Sequence, residues 1–313
     1  MITIDSPSAR SVAPTPAAAT RTACEGARPA LPDALFFELR SGAFPEDGHP
    51  DVAVHVPPGF DATRRPGLIL YLHGWLGCVA AALSSDDGAC GDAGTAGADL
   101  AAQVDAAGVN ALLVAIETRF VLATGEPGQL AMPAGGRDLL RELFSERLAE
   151  PLGCTLAVDA LDRVSIIAHS GGYQAAAGLL EFGDLPNVAE IDLLDALYGA
   201  SDVFAQWIDT RSAHFDPRAR EGPGGARFVD LYTCCGGTAD ASRELARRTH
   251  VALSRAAMPD AVFDDDGDGE LLPAVLAHPI VFRRVPRAHS ALPGAYVRAL
   301  VEATGFARLT PAR

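Results

Sequence analysis

Lysine is absent from all 313 residues, so each of the 25 basic side chains is an arginine. Chemistry that needs a lysine amine is thereby excluded, which removes a phosphate-binding Gly-Lys loop, a kinase lysine and a pyridoxal Schiff base. Uniform arginine usage fits the coding habit of a GC-rich genome and carries no mechanistic weight. Long apolar runs are missing as well: no stretch of about 18 or more apolar residues occurs, so no segment is expected to span a membrane. Residues 1–30 are rich in Ala, Pro, Thr and Ser and lack an apolar centre. They are expected to be disordered and to hold no signal peptide. Thr22-Ala23-Cys24 loosely resembles a lipoprotein cleavage site, but no hydrophobic segment precedes it.

Basic charge is scarce beside 40 acidic residues, and the formal net charge is −15 with a pI near 4.9. Nucleic acid and anionic membranes would be repelled by such a surface, so a neutral small-molecule or polymeric substrate is the better expectation. The six cysteines, Cys24, Cys78, Cys90, Cys154, Cys234 and Cys235, include no Cys-x-x-Cys spacing. A zinc site is therefore not expected, and nothing else in the sequence calls for a metal or cofactor. Two readings of the cysteines stay open. Buried free thiols would suit a cytosolic enzyme. Disulfides would suit an exported one, with Cys78 and Cys90 placed to close a Gly-, Ala- and Asp-rich loop. The adjacent Cys234 and Cys235 would form a strained vicinal bridge or point to opposite faces of a strand. A soluble protein is expected, and the even cysteine count leaves export open.

What is present is an alternation of short apolar runs with helix-like segments. With 49% apolar composition the chain can bury a large core, and one domain over 31–313 is expected. Strands are expected at 35–39, 52–56, 68–72, 111–116, 164–167, 191–194, 228–233 and 280–285. Helices are expected at 98–107, 137–148, 173–177, 202–208, 241–248 and 295–303. Leu68-Ile69-Leu70-Tyr71-Leu72 is a continuous apolar run of the kind found in a sheet covered on both faces. This order predicts an α/β architecture: a mostly parallel central sheet with helices on both faces and a site in the loops at the carboxyl ends of its strands.

The densest chemical signal is Ala168-His169-Ser170-Gly171-Gly172, directly after Val164-Ser165-Ile166-Ile167 and before Tyr173-Gln174-Ala175-Ala176-Ala177. A β-branched run, a Ser between residues small enough for a strained turn, and then a helix former together build an exposed nucleophile. The turn pushes the hydroxyl out over the sheet edge, and the following amide, that of Gly171, lies at a helix start where it can stabilise an oxyanion. Ala168 stands where the usual Gly-x-Ser-x-Gly pattern has its first glycine, and it is small enough for the turn to form. His73-Gly74 follows the third strand, and His289 alone among the eight histidines follows the last one.

These features, in this order over roughly residues 35–305, resemble the α/β-hydrolase fold of esterases and lipases. The resemblance implies a Ser-His-acid triad in that chain order. Ser170 is the implied nucleophile and His289 the implied base. Two positions compete for the acid. Asp195 ends the sixth strand, where some lipases carry theirs. Asp240 follows the seventh, the commoner location. Asp195 is favoured because its apolar flanks, Leu193-Leu194 and Ala196-Leu197, would bury the carboxylate against the histidine, whereas Asp240 opens a polar helix and suits a capping role. By the same resemblance Trp75, after His73-Gly74, is the second oxyanion donor beside Gly171, with Leu76 able to replace it.

The expected function is hydrolysis of carboxylic esters through an acyl-enzyme. A peptidase or amidase on the same fold is the nearer alternative, and a catalytically silent binding protein the more distant one. Only about 33 residues separate Asp195 from the next strand, so no large lid domain is expected. Asp264-Asp265-Asp266-Gly267-Asp268-Gly269-Glu270 has the spacing of a calcium loop up to its sixth position, but Val275 stands where the bidentate Glu belongs. A solvated acidic turn is favoured there over a weak calcium site.

Overall fold

A computed structural model of the chain describes residues 31–309 apart from 87, 92–96, 123–124, 216–224, 235–236, 256–260 and 265–272. The expectations for residues 1–30, for Cys24 and Cys235, and for all but the first residue of the acidic run lie outside the described residues.

Among the described residues nine strands form one sheet in the order β1-β2-β4-β3-β5-β6-β7-β9-β8. Strands β1 (Leu35–Phe37) and β2 (Val52–His55) pair antiparallel, β2 joins β4 (Ala111–Ile116) antiparallel, and all later pairings are parallel. In the centre β3 (Gly67–Leu72) lies between β4 and β5 (Arg163–His169), and every residue of β3 and β4 is buried. Continuous apolar sequence is what a strand covered on both faces requires. Leu68, Leu70 and Leu72 enter one core layer while Ile69 and Tyr71 enter the other. This is an α/β-hydrolase fold.

Helices α3 (Gly135–Glu142), α5 (Tyr173–Phe182), α6 (Ser201–Thr210) and α7 (Ala239–Arg255) cover the first layer. On the second lie α1 (Val79–Leu83), α2 (Leu100–Ala107), α8 (Pro273–Leu276) and α9 (Leu292–Ala303). A short α4 (Ala149–Leu152) precedes β5. Helix α9 is tied to β6 (Val188–Leu194) and β7 (Arg227–Tyr232) by a buried ion pair, since the Arg227 guanidinium meets Glu190 and also donates to the Leu300 carbonyl at 2.8 Å. The same carbonyl accepts the Thr304 amide at 3.0 Å, so the helix end is held by the chain and by the strand side chain together.

Several elements differ from the sequence expectation: the short helices α1, α4 and α8 are not among those expected, and α5 runs on to Phe182. The helix expected at 137–148 stops at Glu142 and widens into a π-turn over Leu143–Arg147. There Ser145 Oγ donates to the Arg141 carbonyl at 2.6 Å and Leu148 N reaches back five residues to Leu143 O at 2.8 Å. A hydroxyl competing for the i−4 carbonyl disturbs helical pairing in this way. An unexpected strand, β8 (Ala261–Asp264), pairs parallel with β9 (Ile280–Arg284) at the sheet edge. Helix α7 is longer than expected at both ends. Between β6 and β7 the described residues hold only α6 and a 3₁₀ turn, Ser212–His214, and no lid domain.

The free-thiol reading is overturned. Cys78 and Cys90 are disulfide-bonded to each other, Cys154 and Cys234 are also disulfide-bonded, and no described cysteine is a free thiol. No helix among the described residues is long and apolar enough to cross a membrane.

Candidate functional site

Strand β5 ends at His169, and Ser170 turns the chain with φ +53° into the 3₁₀ segment Ser170–Gly172 that leads into α5. A left-handed backbone is costly for a residue with a Cβ, and it persists only where the surroundings hold it. Those surroundings are the loop after β3: a Cβ on Gly74 would overlap the Ser170 side chain, so only glycine lets this loop lie against the turn. The loop after β4 presses from the other side, where a Cβ on Gly125 would overlap the Gly171 carbonyl.

The loop after β3 has its own support. His73 is buried, its Nε2 lies 2.6 Å from Glu117 Oε1, and its Nδ1 donates to the Gly74 carbonyl at 2.9 Å. Glu117 Oε2 in turn accepts the Val79 amide at 3.0 Å, at the start of α1. Burial alone would lower the His73 pKa, but the adjacent Glu117 carboxylate and the Gly74 carbonyl outweigh it and raise the pKa above the ordinary value. The Thr118 amide also reaches His73 Nε2 at 3.3 Å, so the ring is held on both nitrogens.

Of the two amides in that loop weighed as oxyanion donors, Leu76 N is already bonded to Leu122 O at 3.2 Å. The Trp75 amide has no acceptor among the described residues, and its nitrogen lies 3.7 Å from the point where a Cβ on Gly171 would sit. Trp75 N and Gly171 therefore border the same space beside Ser170. The Trp75 ring itself is 61% exposed.

His289 begins a 3₁₀ turn, His289–Ala291, between β9 and α9. Its Nδ1 donates to Asp195 Oδ2 at 2.7 Å. Asp195 follows β6 with φ +47°, anchored by its own amide on Leu231 O at 2.7 Å, and its carboxylate has no exposed surface. Oδ1 accepts the Thr233 amide at 3.1 Å and the Thr238 hydroxyl, and Oδ2 accepts the Thr233 hydroxyl at 2.8 Å. Burial would raise the pKa of this carboxyl, but the hydrogen bonds from His289, Thr238 and Thr233 overcome that and hold it at about 2. Asp240, the competing position, is 99% exposed and pairs with Arg243 at 3.0 Å.

Ser170, His289, Trp75 and His73 line one cavity of about 260 Å³, together with Ala81 and Ala82 of α1 and Pro293 of α9. The half-exposed Tyr198 stands outside it, its ring 6.3 Å from that of His289 in an edge-on contact and 6.4 Å from that of Tyr173. Among the described residues no group of three or more His, Cys, Asp or Glu side chains is arranged to hold a metal ion.

Sequence reasoning did not find the His73–Glu117 pair, the two threonines on Asp195, Gly125, or the contact of His169 with the His289 turn. Each joins segments far apart in the chain. Only a buried acid directly after a strand, as at Glu117, offered any local signal.

The sequence matches no protein-family model and no curated protein. Solved structures that are similar include the feruloyl esterase module of Clostridium thermocellum, at 10% identity and a TM-score of 0.47, covering 92% of this chain and 96% of that one. A ferulic acid esterase of Anaeromyces mucronatus is similar at 12% identity and a TM-score of 0.40, covering 86% and 90%. A hormone-sensitive lipase from a metagenome library is similar at 17% identity and a TM-score of 0.37, covering 87% and 83%.

Proposed function

We propose that the protein is a serine hydrolase of carboxylic esters, with Ser170 as nucleophile, His289 as general base and acid, and Asp195 as the orienting carboxylate. The observation that carries this reading is the 2.7 Å bond from His289 Nδ1 to the buried Asp195, in a residue that lines the same cavity as Ser170. A carboxylate held at about pKa 2 stays ionised throughout the neutral range, fixes the Nδ1–H tautomer and stabilises the imidazolium.

In the proposed reaction His289 Nε2 takes the Ser170 Oγ proton as Oγ bonds to the ester carbonyl carbon. The carbonyl electron pair moves to oxygen, where the Trp75 and Gly171 amides receive it. Collapse of this intermediate breaks the bond to the alcohol oxygen, which takes its proton from His289. Water then attacks the acyl-enzyme, gives its proton to His289, and the carboxylic acid leaves as Ser170 regains its hydrogen. No metal or cofactor enters these steps. The described residues between β6 and β7 hold no lid domain, which suits small or polymeric neutral esters, and the net negative charge disfavours nucleic acid. The disulfide-bonded cysteines fit an oxidising compartment.

Turnover of p-nitrophenyl esters tests the reading. Parent protein should hydrolyse them, and Ser170→Ala should lose several orders of magnitude, on the order of 10⁴ or more, because only oxyanion and binding effects remain. Ser170→Ala turnover within about tenfold of the parent would contradict it.

A further inference from the structure

His169 immediately precedes the proposed nucleophile, yet its side chain does not serve the strand it ends. Its Nε2 donates to the main-chain carbonyl of His289 at 3.0 Å, and the two imidazole rings lie 4.8 Å apart at a 36° tilt. His289 is therefore held from two directions. Its ring is fastened by Asp195 at 2.7 Å, and its backbone is fastened by the residue covalently bonded to Ser170. We infer that His169 is a positioning residue, whose ring N–H fixes the His289 turn against the Ser170 turn so that base and nucleophile share one frame. This rests on the hydrolase reading of the site given above.

Three observations bear on it. The His289 carbonyl accepts the Leu292 amide within its own single 3₁₀ turn and the His169 ring N–H from the Ser170 turn, so the bond from His169 is the one that ties this short turn to a separate loop. The elbow carries backbone strain at Ser170, φ +53°, and a bond from the adjacent residue to a separate loop is where such strain can be offset. The charged and titratable groups around the ring are His289, Asp195 and His73. Burial, followed by the nearby positive charge of His289, pushes the His169 pKa down to about 4. The ring thus stays neutral while His289 takes up the Ser170 proton, and it supplies a donor without adding a second cation.

The test compares His169→Leu, which removes the donor, with His169→Gln, whose amide nitrogen reaches the place of Nε2. Three quantities are read: the second-order rate of labelling by a fluorophosphonate, the melting temperature, and the downfield proton resonance of the His289–Asp195 bond. His169→Leu should label about tenfold or more slowly, with its downfield resonance broadened or lost and its melting temperature close to the parent's, because small misplacement of a catalytic group costs rate steeply. His169→Gln should recover labelling to within about threefold of the parent with the resonance restored. Labelling of His169→Leu at the parent rate with an intact resonance overturns the inference. So does His169→Gln as slow as His169→Leu, which would mean that ring bulk and not the donor matters. If His169→Leu does not fold, His169→Asn replaces it: its amide is too short to reach the carbonyl and should label slowly, and a rate equal to that of His169→Gln overturns the inference. A parent protein that the fluorophosphonate does not label overturns the hydrolase reading itself, a failure distinct from that of the positioning role.

Discussion

Asp195 and His289 stand 94 residues apart in sequence and 2.7 Å apart in space, and the carboxylate that receives the imidazole N–H is the one with no exposed surface and three further hydrogen bonds. Those three come from Thr233 and Thr238, so the acid is oriented before any substrate arrives.

Replacing that acid should be severe for catalysis and mild for the fold. Asp195→Asn presents an amide to Nδ1 and favours the wrong tautomer, which should lower kcat at neutral pH by up to about 10⁴-fold. Asp240→Asn should leave kcat unchanged, because that carboxylate is exposed and pairs only with Arg243 among the described residues. Steady-state kinetics on one ester checks both variants.

At Trp75 the main chain and the side chain are expected to do different things. Trp75→Ala keeps the amide beside Gly171 and should act through KM, by removing an exposed ring at the cavity mouth. Trp75→Pro removes the amide and should cost about 10²- to 10³-fold in kcat, the loss typical of one oxyanion donor. Melting temperatures measured alongside separate this loss from misfolding.

The His73–Glu117 pair should behave as a buried ion pair. Glu117→Gln removes the carboxylate that counters burial, so the His73 pKa should fall below its ordinary value, and the loss of stability should exceed that of the double replacement His73→Leu with Glu117→Leu. Because the folded-state pKa of His73 is raised, the stability this pair contributes is present in full below the unfolded histidine pKa and is lost as pH rises through the raised value. Urea unfolding at several pH values checks the sign.

Asp230 lies on β7 with no exposed surface and no hydrogen-bond partner for its carboxyl oxygens among the described residues, and burial, reinforced by the charge of Asp195, raises its pKa to about 7. A raised carboxyl means that the folded state holds its proton longer than the unfolded one, so stability should fall from about pH 4 to about pH 7 on this account. Asp230→Asn imitates the protonated acid. It should be more stable than the parent at pH 8, with the difference shrinking to nothing near pH 4. Melting curves across that range read the effect.

Much of this architecture was legible in the chain because its central strands are buried on both faces, which forces continuous apolar runs such as Leu68–Leu72 and Ala111–Ile116. Edge strand β8 escaped notice because it is four residues long, ends in Asp264 and pairs on one side only. Ser170 and His289 could be singled out from local pattern and from their order along the sheet. Their supports could not. Thr238 reaches Asp195 across 43 residues, Glu117 reaches His73 across 44, and His169 reaches the His289 carbonyl across 120. Such contacts follow from which strands the sheet brings side by side, and no short segment records that.

The central claim is that Ser170 is a nucleophile made reactive by His289 and Asp195, and site mapping of a covalent adduct tests it most directly. Intact-mass and peptide mass spectrometry after fluorophosphonate treatment should find one adduct per chain, on Ser170, formed by attack of Oγ at phosphorus with loss of fluoride. Labelling should disappear in Ser170→Ala and slow by orders of magnitude in His289→Ala. An adduct on any other residue, or a parent that hydrolyses esters while remaining unlabelled, would contradict the account.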